Sequence, residues 1–197
     1  MLPIIYSMAC IIVPCAVYQV LALREPKSRK HLLHHMIWVY IFLLYLYLAL
    51  STAGIGSVWD IGKYDTIIRP DEINFIPFQS EGIMTYVLNI LMFMPLGFLL
   101  PLIWKNYRNI TNVLFTGFGF SLSIEICQLF NLRATDIDDL LMNTLGTLIG
   151  YFIWLLLINI FQKCSQKALS LSKREPAVYL ALAVAGEFLL YNWRLLL

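Results

Sequence analysis

Apolar runs of about 20 residues recur along the whole chain, and they constrain its fold more than any other feature. A helix needs roughly 20 apolar residues to cross the ~30 Å hydrocarbon core of a bilayer. Of the 197 residues, 60% are hydrophobic and 13% are charged, whereas about a quarter of the residues of a soluble domain are charged. Transmembrane β-strands would be shorter and would alternate in polarity. The sequence therefore predicts an all-α fold, a polytopic transmembrane helical bundle.

Six spans can be placed on the chain, at about 2–23, 36–56, 83–104, 110–130, 139–161 and 177–195. The sixth is the weakest, because it is short and carries Glu187, for which we expect a hydrogen-bonded structural role in preference to a relay role. Three parts follow. Residues 1–35 form an N-terminal transmembrane helix and a basic loop. Residues 36–161 form the membrane core, with an external loop at 57–82, and residues 162–197 form a second basic loop and a C-terminal transmembrane helix.

Basic residues are concentrated in alternate connections between the spans. The connections 24–35, 105–109 and 162–176 hold 10 of the 14 Lys and Arg residues, and the opposite connections hold three of them with eight acids. Because Lys and Arg mark cytoplasmic loops, we predict a multi-pass protein of the cell (cytoplasmic) membrane with both termini extracytoplasmic. Membrane lipids are expected partners. Nucleic acid is not, because the chain lacks a basic patch interleaved with aromatic residues.

Polar residues inside the spans are costly to bury in lipid, so each needs a partner or a purpose. Asn89, Glu125 and Asn143 lie in the third, fourth and fifth spans, four to six residues from the predicted outer end of each. Since these spans are antiparallel neighbours in sequence, the three side chains are predicted to converge at one depth. Gln128 shares a helical face with Glu125.

The fifth span opens with an acidic segment that shares one helical face with small residues. The spacing in GTLIG at 146–150 permits close approach of a second helix. Thr135 and Asp138 have capping-box spacing, so Asp138 is expected to cap the helix. The residues on the shared face are Asp136, Asp139, Asn143, Gly146 and Gly150.

Structural explanations compete with functional ones for these residues. Glu125 could be a buried acid satisfied by neighbouring amides, Asp136 and Asp139 also suit the positive end of a helix dipole, and Arg133 could simply neutralise them. His31, His34 and His35 are expected to contact lipid headgroups, and Cys10, Cys15, Cys127 and Cys164 to fill apolar space.

Four segments resemble the VanZ-like family in their order and spacing. They are NFIPF at 74–78, NILMFMPLGFLLPL at 89–102, SIEICQLF at 123–130 and ATDIDDLLMNTLGTLIGY at 134–151. The matching positions are Asn74, Pro77, Phe78, Asn89, Pro95, Gly97, Glu125, Gln128, Asp136, Asp139, Asn143 and Gly146. The resemblance implies an integral membrane protein linked to low-level resistance to the lipoglycopeptide teicoplanin, and it implies no agreed catalytic residues.

Together, the residues and the resemblance favour an acidic, polar site at the outer leaflet that binds a lipid-linked cell-wall precursor, another surface component or a lipoglycopeptide. The alternative is a membrane-embedded enzyme acting on a lipid-linked substrate, with carboxylates as acid and base or as ligands of a divalent cation. A transporter is a third hypothesis, disfavoured because the polar residues gather near one face. The sequence identifies no cofactor with certainty, a divalent cation is the candidate, and the oligomeric state stays open. The candidate catalytic residues are Glu125, Asp136 and Asp139, and the candidate ligand-binding residues are Asn74, Asn89, Gln128, Arg133 and Asn143.

Overall fold

Helices account for nearly all of the chain that the computed structural model describes, namely residues 2–22, 29–61, 63, 73–74, 76–78, 82–131, 135–166 and 174–196. Within these ranges there are six α-helices, which confirms the all-α prediction. They are α1 (Leu2–Ala22), α2 (Arg29–Ala53), α3 (Ile83–Ile103), α4 (Ile110–Gln128), α5 (Ile137–Gln166) and α6 (Glu175–Leu190). Three short 3-10 turns lie at Val58–Asp60, Lys105–Tyr107 and Trp193–Leu196.

Five of these helices, α1 to α5, are long and apolar enough to cross a membrane. Helix α6 has 16 residues, which is about 24 Å at 1.5 Å per residue, so it is shorter than the predicted sixth span. It ends at Leu190 because the next residue, Tyr191, has an extended backbone conformation. The backbone N–H of Asn192 donates to the Tyr6 hydroxyl (3.2 Å) instead of continuing the helix.

Helices α3 and α5 pack backbone against backbone. A Cβ atom placed on Gly146 would lie 2.3 Å from the carbonyl oxygen of Ile90, and one on Gly150 would lie 1.9 Å from that of Met94. A Cβ atom placed on Gly97 of α3 would likewise lie 1.8 Å from the carbonyl oxygen of Thr147. The predicted close approach at GTLIG is confirmed, and its partner is α3.

Helices α1 and α6 form the second close pair. A Cβ on Gly186 would lie 2.2 Å from the carbonyl oxygen of Cys10, so these backbones also touch. Tyr6, near the start of α1, donates to the Leu190 carbonyl at the end of α6 (2.7 Å). The two helices therefore run antiparallel, and α2 packs beside them.

The bundle has two ends of different character. At one end, which we call the acidic end, α3 and α5 begin, α4 finishes at Gln128, and α2 finishes at Ala53. Gln128 Nε2 donates to the Ala53 carbonyl (2.9 Å) and thereby joins α4 to α2 there. At the opposite end, the basic end, the 3-10 turn Lys105–Tyr107 joins α3 to α4.

A two-residue parallel strand pair closes the acidic end. Strand β1 (Ile73–Asn74) pairs with β2 (Thr135–Asp136), in the register Ile73 to Thr135 and Asn74 to Asp136. This pairing brings a short piece of the predicted external loop against the start of α5.

The buried core is aromatic and aliphatic, with Phe42, Phe93, Trp104, Trp154 and Tyr179 among its largest members. Many large apolar side chains on the outside of the helices are exposed instead, as a lipid-facing surface requires. Of the cysteines, Cys10, Cys15 and Cys127 are buried and unpaired, in agreement with their predicted role as apolar filler.

Candidate functional site

Asp136 is the centre of a buried polar cluster at the acidic end. It precedes α5, and its Oδ1 accepts from the backbone N–H of Asp138 (2.9 Å), so it is the N-cap of that helix. Its Oδ2 accepts from Asn74 Nδ2 (3.2 Å) across the strand pair. One carboxylate therefore both starts α5 and holds β1 in place.

Glu125 reaches this cluster from α4. Its side chain is buried, and Oε2 accepts from the backbone N–H of Asp136 (3.2 Å). Thr135 Oγ1 donates to the Glu125 carbonyl (3.3 Å). The last turn of α4 is thus bonded to the segment that opens α5, and two carboxylates from different elements lie within one hydrogen-bonded group.

Asn89 and Asn143 join α5 to its two neighbours. Asn89 Nδ2 of α3 donates to Asp139 Oδ1 in the first turn of α5. One turn further along, Asn143 Nδ2 donates to Ser121 Oγ of α4 (2.9 Å). Polar side chains of α3 and α4 thus contact α5 on two adjacent turns, and the direct convergence of Asn89, Glu125 and Asn143 stays a prediction.

Asp138 has a role that differs from the predicted one. The predicted capping box is wrong, because the side chains of Thr135 and Asp138 form hydrogen bonds with other groups. Asp138 is fully buried, and its carboxylate accepts from the backbone N–H of Phe78 (2.9 and 3.0 Å) and from the Tyr86 hydroxyl (2.9 Å). Asp136 takes the capping position instead, since it immediately precedes the first helical residue.

Phe78 is held in a strained conformation by this contact. Its φ of 65° lies in the left-handed region, which is unfavourable for a bulky residue. The ring is 67% exposed and meets the ring of Tyr86 edge-on at 6.1 Å. Strain of this kind concentrates at functional sites, so the segment 76–78 is a candidate part of the site.

The structure brings together most of the predicted site residues that it describes, but Gln128 is placed differently. Gln128 points to the end of α2, where its amide caps the Ala53 carbonyl. Arg133 lies outside the described residues. The residues that meet in the cluster are Asn74, Asn89, Glu125, Asp136, Asp139 and Asn143, joined by Ser121, Tyr86 and Asp138.

The cluster contains four carboxylates, those of Glu125, Asp136, Asp138 and Asp139, and this raises the question of a metal ion. Among the residues that the structure describes, no group of three or more His, Cys, Asp and Glu side chains is arranged to hold one. Asp136 and Glu125 instead accept hydrogen bonds from backbone and amide N–H groups. The cluster is consequently best suited to hydrogen bonding with donors.

Two buried pairs outside the cluster were not predicted. His35 Nε2 and Glu175 Oε1 are 2.7 Å apart and fully buried toward the basic end, which corrects the expected headgroup contact for His35. Near the acidic end, Ser7 Oγ donates to Glu187 Oε1 (2.8 Å). No local spacing links the members of either pair, since each joins helices far apart in sequence. Glu187 is marked in the sequence as a charged residue within an apolar stretch, whereas His35 and Glu175 both lie in the predicted basic loops and carry no such signal.

Comparison with known proteins gives one match. The VanZ/LLP1 family model matches residues 36–159, which run from α2 into α5 and contain the whole polar cluster. No curated protein and no solved structure matches this chain.

Proposed function

This chain belongs to the VanZ/LLP1 family, and from that membership we propose that it lowers susceptibility to teicoplanin-type lipoglycopeptides by binding an envelope component at its acidic end. The component is an amphipathic, donor-rich molecule such as a lipid-linked cell-wall precursor. In this proposal, the acidic end faces the outer leaflet, as the distribution of Lys and Arg predicts.

The observation that carries the proposal is the position of an apolar rim beside the polar cluster. Phe78, Ile83 and Met84 are 67%, 81% and 71% exposed at the acidic end. Asp138 connects the rim to the cluster, because it binds the Phe78 backbone and lies next to Asp139 on α5. An apolar rim above hydrogen-bond acceptors suits a ligand with a lipid tail and a hydroxyl- or ammonium-bearing head.

The cluster offers hydrogen-bond acceptors and not a rigid coordination site for an ion. Carboxylates that accept charge-assisted hydrogen bonds bind more strongly in a site of low dielectric constant. Asp139 and Glu125 come from different helices, so a headgroup bound to both would also bridge α5 and α4. This supports recognition of a headgroup as the primary function.

An enzyme acting on the same class of ligand is the second candidate. The observation that favours it is the joining of Glu125 and Asp136 through a single peptide N–H (3.2 Å). Two buried carboxylates joined in this way would place a general acid and a general base within one site. A divalent cation bound with the ligand would be a further element of this candidate.

The test uses amide substitutions that preserve shape. Glu125→Gln and Asp139→Asn remove charge while keeping hydrogen-bonding groups, so both should reduce lipoglycopeptide tolerance to that of cells lacking the protein. Asp60→Asn is the matched control, because Asp60 lies beyond α2 and its carboxylate bonds Ser57 (2.8 Å). Tolerance is measured at equal membrane abundance, and the control should retain it.

Full tolerance in both variants would contradict the proposal and leave the acids with a capping and packing role. Binder and enzyme are then separated with purified protein and a lipid-linked wall precursor. A mass change in the precursor identifies an enzyme, and saturable binding without one identifies a binder. If a chelator abolishes this mass change, the enzyme requires a divalent cation.

A further inference from the structure

A polar cavity lies at the acidic end, between α1, α2 and α6 and apart from the polar cluster around Asp136. It has a volume of about 290 Å³, close to the lower end of the range of roughly 300–1,000 Å³ for ligand pockets. Ser7 lines it from α1, Ser51 from α2, and Glu187 from α6. Helices α1 and α6 lie outside the region matched by the family model, so this cavity is separate from the site of the proposed function.

Glu187 has one carboxylate oxygen that is bonded and one that is not. Its Oε1 accepts from Ser7 Oγ (2.8 Å). Its Oε2 is buried and has no hydrogen-bond partner among the described residues. The side chain is 8% exposed and lines the cavity. A buried carboxylate oxygen without a donor costs free energy comparable to a lost charged hydrogen bond, so the site calls for a donor from a ligand.

Three features of the cavity wall favour a positively charged donor. The first is the carboxylate itself. The second is the C-terminal end of α2, near Ser51 and Gly54, where the helix dipole places partial negative charge. The third is the pair of tyrosine rings, Tyr47 and Tyr191, since aromatic faces attract cations.

The geometry also limits which cation fits. A calcium ion needs six to eight oxygen ligands, whereas Glu187 is the one carboxylate among the described residues that line this cavity. Pro3 and Ile4 add an apolar part to the wall, and both are exposed. A quaternary ammonium group has no N–H to donate to Oε2. A primary ammonium on a short carbon chain satisfies the oxygen, the charge and the apolar wall together.

The cavity is kept open by the packing of its own helices. Gly186 lies against the Cys10 carbonyl, and this contact fixes the distance between α1 and α6. Tyr6 is bonded to Leu190 and to Asn192 just beyond it. Closure of the cavity by helix sliding would break these contacts, so a ligand is the simpler way to fill it.

We propose that this cavity binds a primary ammonium group, carried either on a membrane lipid headgroup or on a free amine, with Glu187 as its acceptor. The ammonium donates to Oε2 while Ser7 continues to donate to Oε1. Nothing in this site depends on the acidic cluster, so the two proposals can fail independently.

The experiment uses the purified full chain in detergent. Phosphatidylethanolamine and phosphatidylcholine with identical acyl chains are compared by native mass spectrometry and thermal stability, and soluble ethanolamine is added in a separate arm. The wild type should bind phosphatidylethanolamine about tenfold or more tightly than phosphatidylcholine, because only the former donates a charged hydrogen bond. Competition by ethanolamine at micromolar concentration would identify a free amine as the ligand source.

Two variants separate binding from folding. Glu187→Gln should remove the preference for phosphatidylethanolamine, and Ser51→Leu should weaken binding by filling the cavity from α2 while leaving the Ser7–Glu187 contact intact. Glu175→Gln is the matched control, because it makes the same change in α6 at the opposite end, where Glu175 pairs with His35. It should keep the preference even if it lowers stability.

Equal binding of the two lipids by the wild type, with no response to ethanolamine, would overturn the proposal. An undiminished preference in both Glu187→Gln and Ser51→Leu would also overturn it, since lipid would then bind elsewhere. Because Ser51 is exposed, a failure of Glu187→Gln to fold still leaves Ser51→Leu as a decisive variant.

Discussion

At the scale of single residues, the most informative contact is the one between Asp138 and the Phe78 backbone. It fixes a bulky residue at a φ of 65° and leaves its ring 67% exposed. The sequence places residues 74–78 in the predicted external loop, but it cannot reveal the strain. That depends on a carboxylate 60 residues further along the chain.

Substitutions at Phe78 should separate the effect of the exposed ring from the effect of the backbone strain. Phe78→Gly and Phe78→Ala both remove the ring, but only glycine adopts positive φ without cost. We expect the glycine variant to be more stable than the alanine variant by about 1 kcal/mol, and both to lose lipoglycopeptide tolerance. Thermal unfolding and tolerance assays measure the two effects. Full tolerance in Phe78→Gly would exclude the apolar rim from the site.

His35 and Glu175 form a fully buried pair toward the basic end. His35→Ala leaves the buried Glu175 carboxyl without this partner, which should cost on the order of 1–3 kcal/mol of stability. Neighbouring His34 is the matched control, because its ring meets Trp38 edge-on at 6.5 Å and it is only partly buried. A loss in His34→Ala as large as in His35→Ala, measured by thermal unfolding, would argue against a specific role for the pair.

At the scale of helices, the glycine contacts between α3 and α5 determine where the polar cluster forms. Because the backbones touch at Gly146 and Gly150, the first turn of α5 is brought beside α3 and Asp139 meets Asn89. The small-xxx-small spacing in the sequence predicts a close approach. It cannot name the partner helix, since the same spacing would accept any neighbour.

Alanine at the contacting glycines should separate these helices. Gly146→Ala and Gly150→Ala each place a methyl group about 2 Å from a backbone oxygen, so we expect losses on the order of 3 kcal/mol from overpacking. Gly119→Ala in α4 meets nothing within 4 Å and should be neutral or gain up to about 1 kcal/mol from helix propensity. Thermal stability in detergent provides the comparison, and equal effects at all three positions would contradict the packing argument.

At the scale of the whole molecule, hydropathy alone predicts the helices because lipid permits few alternatives to a helix. The predicted spans correspond to the helices within a few residues at most ends. The largest difference is at the start of α2, which begins at Arg29 and not at residue 36. Helix α6 ends at Leu190 and not at residue 195, and the N–H of Asn192 beyond it donates to Tyr6 of α1. For the polar cluster, the sequence predicts only the depth of each residue in its span and the helical face on which it lies. Gln128 shows the limit, since it shares a face with Glu125 but caps α2.

The predicted orientation is tested with single cysteines at opposite ends of the bundle. Lys63→Cys and Asn106→Cys both replace exposed residues, and the native Cys10, Cys15 and Cys127 are buried. An impermeant thiol reagent added to intact cells should label position 63 and leave position 106 unlabelled until the membrane is opened. The reverse pattern would place the acidic cluster on the cytoplasmic side and contradict the proposed outer-leaflet site.

The pairing of α1 with α6 has a consequence for how the chain is made. Tyr6 and Leu190 are 184 residues apart in sequence, so α1 is synthesised well before α6, the helix that becomes its main neighbour. Until then, the polar groups of Ser7 and Tyr6 face lipid or transient partners. Biogenesis therefore includes a docking step that unites α1 with α6, and a polypeptide interrupted before α6 would leave α1 without that neighbour.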